Sequence, residues 1–218
     1  MFSDERDFYQ IAGDSSFLPQ PVKMNRLILS PGERAEIIVD LSDLAGGNIF
    51  FGDSLSDKAL LKIQIKNQKA LPSVIPDSFT NINEYQNLRG ATRRTFTLDM
   101  SPGWLGINDK QMNMNRIDEE VTLGQIEVWK IINPNNMPHP FHIHGCSFKI
   151  LSRNSLPCYA NEKGLKDTVL IYSQETVEIA VSFEHEATKE YPYMYHCHIL
   201  EHEDAGMMGQ FTVTQDYI

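Results

Sequence analysis

Three consecutive residues, His196-Cys197-His198, constrain this chain more than any other feature. Six of its seven histidines fall into two short clusters: His139, His142 and His144 in "HPFHIHG", and His196, His198 and His202 in "HCHILEHEDAGMM". Side chains on a strand alternate between faces. If 194–198 is extended, Cys197 points to one side while His196 and His198 point to the other. His142 and His144 share that two-residue period and can face a common centre. His139 lies just before them, beyond Pro140, which has no amide hydrogen and is expected to redirect the chain. A short stretch of backbone then joins two sites on opposite faces.

The residue types say what such sites can hold. A soft thiolate, two imidazoles and a weak axial thioether form the ligand set of blue copper. Cys197, two histidines and a methionine supply it. Zinc also accepts cysteine and histidine, but it needs neither Met207 nor histidines divided between two faces. A packed strand with incidental histidines would not explain the upstream cluster. A mononuclear site beside a histidine-only cluster suits one-electron uptake and multi-electron delivery.

The two motifs resemble the last two copper signatures of the multicopper oxidases, the group of laccases, cuprous oxidases and bilirubin oxidases. Residues 127–213 are most similar to bacterial three-domain members. The resemblance implies that His139, Cys197 and His202 bind type 1 copper with Met207 as axial ligand. By the same token His142 binds type 2 copper, and His144, His196 and His198 bind the type 3 pair. It also implies a small reducing substrate (a phenol, an aromatic amine or Cu(I)), dioxygen as acceptor, electron passage from Cys197 through His196 and His198, and a proton relay at Glu203. The family's three-copper cluster uses eight histidines, half of them from an N-terminal domain, whereas 1–138 contains none. The type 1 set is complete and the type 2 and type 3 set is half present. The chain therefore reads as the C-terminal part of a longer oxidase, inactive alone, whose partners are the missing N-terminal cupredoxin domains. A stand-alone type 1 electron-transfer protein and a non-catalytic structural relative are the alternatives. Resemblance points to a periplasmic, cell-surface or secreted parent.

At 218 residues, 41% of them hydrophobic, the chain can hold one large domain or one and a half smaller ones. No apolar run approaches the roughly 18 residues of a membrane span, and the acidic N-terminus is not expected to be a signal peptide. A net charge of −10 argues against nucleic acid and anionic membranes.

The layout reads as all-β. Alternating runs flank a Ser-Pro-Gly-Glu turn in 24–40, with further pieces at 48–52 and 60–66. Residues 67–92, with Pro72 and Pro76, read as an interdomain linker. Short strands return at 93–99, 121–133, 141–152, 167–172, 176–183, 192–198 and 209–214, the cadence of a Greek-key β-sandwich. The resemblance sharpens this to a cupredoxin. It makes 1–66 the end of a preceding cupredoxin domain and 93–218 the copper-binding one. A helical turn at 199–204 is expected to place His202.

Other residues receive plainer readings. Cys146 and Cys158 read as separate small buried residues rather than a disulfide, and Trp129 as core. Glu127 is expected to meet a polar neighbour. Met112 and Met114 read as packing, His185 as a loop residue. Asp167 reads as a strand-edge carboxylate more than as a partner of the metal ligands.

Overall fold

A computed structural model describes all residues except 57, 69, 70, 72, 80–84, 86 and 216–218. Pro72, read into the linker, lies outside the described residues. The first strands are β1 (Phe8–Ala12), β2 (Phe17–Met24), β3 (Glu36–Ile38), β4 (Asn48–Asp53) and β5 (Lys58–Gln64). They form a three-stranded sheet ordered β2-β1-β3 and the hairpin β4-β5. β1 alternates as a half-buried strand should, with Phe8, Gln10 and Ala12 inward. A small apolar cluster around Phe2, Phe8 and Ile49 holds these elements together. The β1–β2 hairpin was not anticipated. The run at 24–29 is not a strand, because β2 ends at Met24 and the chain then loops to β3.

From residue 92 follow β6 (Thr92–Ser101), β7 (Trp104–Ile107), β8 (Glu119–Thr122), β9 (Glu127–Asn133), β10 (His139–Ile143), β11 (Lys149–Arg153), β12 (Thr168–Ile171), β13 (Glu175–Val181), β14 (Tyr193–Cys197), helix α1 (Leu200–Asp204) and β15 (Met208–Thr214). Two five-stranded sheets, β12-β10-β14-β15-β8 and β11-β13-β9-β6-β7, form a cupredoxin-like sandwich. A core drawn from both sheets lies between them, with Phe96, Trp129, Phe141, Tyr195 and Phe211 in edge and tilted ring contacts. Trp129 is fully buried, and its indole N–H donates to Glu127, which also takes a fork from Arg94. Burying a side chain of this size with its one polar atom satisfied makes β9 the centre of the sheet.

Two sequence-level strands are each split between sheets. The stretch 121–133 breaks at the turn around Gly124 into β8 and β9, and 141–152 breaks after Ile143 into β10 and β11. A tight turn forms at 153–156, with Arg153 bridged to Leu156 and Asn154 and Ser155 both at positive φ, the signature of a two-residue hairpin loop. Cys146 and Cys158 are free thiols.

Candidate metal centre

The pairing of β10 with β14 builds both clusters at once. Phe141 lies opposite Cys197, and His142 lies opposite His196. Directly paired residues share a face, so 139, 141 and 197 face the sandwich core while 142, 144, 196 and 198 face outward. His139 is itself part of β10, and Pro140 sits within the strand paired to Leu170 rather than redirecting the chain. The parity of 139 against 142 would have placed His139 on the Cys197 side without the proline argument. Gly145 ends the strand at φ +74°, against the ring of Tyr193, where a side chain would collide.

On the core side, Cys197 Sγ lies 3.6 Å from His139 Nδ1 and 3.5 Å from His202 Nδ1, and the two nitrogens are 3.2 Å apart. Donors about 2.0–2.3 Å from a shared ion present a triangle of this size. Cys197, His139 and Met207 are fully buried and His202 nearly so. The turn of α1 carries His202 back over the strand end, as expected. Met207 is held by its backbone to both neighbours: its carbonyl accepts from the Cys197 amide, and its amide donates to the His202 carbonyl. Burial, helped by the nearby His202, lowers the His139 imidazole to about 4, so it is neutral at pH 7 with a lone pair to offer. Burial raises the Cys197 thiol to about 12, so a bound ion must displace its proton.

On the outer side, four imidazoles gather with ring centroids 5.1–5.5 Å apart in the recorded pairs. One nitrogen each of His142, His144 and His196 falls within a 4.8 Å group. His142 Nδ1–H donates to the Asp167 carbonyl at 2.9 Å, and His196 Nδ1–H donates to the Cys197 carbonyl at 3.0 Å. Both bonds fix the tautomer that leaves Nε2 as the free donor, the device that orients histidine ligands in metal sites. His196 Nε2 lies 3.3 Å from His144 Nε2. Burial lowers His144 to about 4 and also lowers His196. Glu203 Oε2 approaches His196 Nδ1 at 3.3 Å, while Asp204 points to solvent.

Asp167 departs from its strand-edge reading. Burial would raise its carboxyl, yet bonds from His142, Arg34 and Thr168 hold it well below the usual range. Arg34 grips it with a two-pronged pair at 2.6 and 2.7 Å. Nothing in the sequence connected Arg34 with residues 133 positions away. Asn135 was likewise missed; its side chain lies 3.3 Å from His139 Nε2 and lines a cavity of 680 Å³ with Met100, Trp104, Leu105, Pro134 and Ala205. His185 is exposed, in keeping with its loop reading; Met112 is half-buried and its amide donates to the Gly206 carbonyl, whereas Met114 is exposed and does not pack as read.

Residues 80–217 match the family described as multicopper oxidase. The chain is 36% identical over 217 residues to a multicopper oxidase of Staphylococcus haemolyticus, covering 97% of this chain and 44% of that protein. It is 30% identical to a laccase of Bacillus subtilis, covering 97% and 47%, and 32% identical to the cell division protein FtsP of Yersinia pestis, covering 95% and 46%. Its fold superposes on a crystal structure of a multi-copper oxidase from Pediococcus acidilactici with a TM-score of 0.91 at 34% identity, over 99% of this chain and 46% of that one. The chain thus spans about half the length of these relatives.

Proposed function

The chain belongs to the multicopper oxidase family, and on that premise we propose that it is the copper-ligating C-terminal part of an oxidase that couples one-electron oxidation of a small reductant to reduction of dioxygen to water. The observation that carries this reading is the pairing of β10 with β14, which sets a buried His139-Cys197-His202 triangle and an outer histidine cluster on opposite faces of the same strands. The donor chemistry fits copper: a thiolate, two neutral imidazoles and the buried Met207 on one side, imidazoles alone on the other. His139, Cys197, His202 and Met207 would hold the type 1 ion. His142 would hold type 2, and His144, His196 and His198 would hold their half of the type 3 pair. Copper, when bound, supplies the one-electron redox chemistry and the site for dioxygen.

The chain's own residues do the rest. Cys197 is joined to His196 and His198 by single peptide links, the shortest covalent route between the two clusters. Backbone carbonyls of Asp167 and Cys197 fix His142 and His196 with Nε2 toward the cluster. Glu203, at 3.3 Å from His196, is placed to hand protons to the outer cluster. The cavity beside Asn135, walled by Trp104, Leu105 and Pro134, offers an apolar seat for a reductant next to His139.

A second reading, a protein of this fold that works without oxidase chemistry, draws on the likeness to relatives named for cell division. Retention of every ligand expected of the family's C-terminal part weighs against it. Anaerobic mixing of the copper-loaded chain with hydroquinone separates the two. The oxidase reading expects the copper–thiolate absorption to bleach with one electron per chain. A colourless protein, or a band that hydroquinone does not touch, would favour the second.

A further inference from the structure

Resting on the reading of the outer histidines as a copper cluster, we infer that the loop 30–34, from the sheet-forming segment before residue 66, is a working part of that cluster: Arg34 is a positioning residue for His142 and Gly32 for His198. The loop reaches the cluster at two points. At one, the Arg34 guanidinium forms its two-pronged pair with the Asp167 carboxylate. The same residue's carbonyl takes the His142 Nδ1 proton, and its carboxylate oxygen lies 3.6 Å from that nitrogen and accepts from the Thr168 hydroxyl. At the other, Gly32 stands against the His198 ring, and a Cβ there would lie 2.6 Å from Cδ2. Its φ of +86° is one that glycine adopts without strain.

The loop is held rigidly for this task. Arg34 also donates to the Gly32 carbonyl and to the Asp14 carbonyl, and its amide donates to the Asp14 carboxylate. Buried Lys166, next to Asp167, is clasped between Asp14 and Glu33. A half-exposed ion pair such as Arg34–Asp167 adds little stability of its own. What the planar fork adds is orientation, which a point-charge cation does not reproduce. Groups behind metal ligands act in this way, and their loss typically weakens metal affinity about 10–100-fold.

The test is a Cu(II) titration of the full chain, followed by visible absorption and by electron paramagnetic resonance. Wild type is expected to take one ion that gives the blue band and a second that does not. Arg34→Gln and Gly32→Ala should leave uptake of the blue ion unchanged, weaken the second ion about tenfold or more and alter its hyperfine splitting. Arg34→Lys should recover part of the loss. The inference is overturned if the variants bind the second ion as wild type does, if wild type takes no second ion, or if both ions weaken together with a fall in thermal stability. A missing blue band with the second-ion effect intact would contradict the proposed function and support this inference.

Discussion

Cys197 is the residue on which the two clusters meet. Replacing it with serine substitutes a hard, weakly acidic hydroxyl for the soft thiolate. Cys197→Ser is therefore expected to abolish the blue band while leaving the outer histidines able to bind an ion, measured by absorption and metal count. Met207→Leu keeps the buried volume but removes a weak electron donor. Copper should remain bound and its reduction potential should rise, as redox titration would read. The histidines carry a pH prediction for the metal-free chain. Burial depresses His139 and His144 from 6.5 to about 4, so the unfolded chain binds more protons than the folded one between those values. Stability is then full above about pH 6.5 and is lost as pH falls toward 4. Urea midpoints should drop across that window, and a flat profile would contradict the burial of these rings. The sign holds only without metal, since a bound ion would exclude the protons itself.

At the scale of the element, the strand period did most of the work. The alternation in His196-Cys197-His198 was enough to divide the ligands between two faces, and the pairing of β10 with β14 realises that division. What failed was local. Pro140 suggests a break, yet it lies inside β10, where its carbonyl still accepts from the His198 amide and only its missing donor is lost. The stretches 121–133 and 141–152 look continuous because strand-forming residues run on both sides of each break, and Gly124 and Gly145, at positive φ, were the cues to the breaks. The loop bearing Arg34 and Gly32 was illegible, because a contact between 34 and 167 has no period or motif to betray it. The central strand yields a further expectation. Trp129→Ala in β9 empties the middle of the sandwich and leaves Glu127 short of one donor. It should cost about 3–5 kcal/mol of folding stability, read from chemical denaturation. A loss below 1 kcal/mol would mean that the core is not organised around this ring.

On the scale of the whole molecule, most buried apolar side chains among the described residues fall into two clusters, one within residues 2–65 and one within 96–213. The first sheets leave Leu60 and Leu61 on β5 exposed, along with Ile28 and Leu29. Adjacent strand residues exposed on both faces ask for a covering partner, which accords with a chain that spans about half the length of its relatives. Among the described residues no helix is long and apolar enough to cross a membrane. The outer cluster has four histidines, half of what the family's three-copper site uses. The copper-loaded chain alone is accordingly expected to consume no oxygen with a phenol as reductant, and an oxygen electrode would register any turnover that contradicts this.

The proposed function stands on His139, Cys197, His202 and Met207 holding one copper ion as a blue site. The decisive measurement is a visible absorption spectrum during Cu(II) titration, with copper counted per chain. The expected result is an intense thiolate-to-copper band that saturates at about one blue copper per chain. Copper bound without that band would mean that these four residues do not form the site.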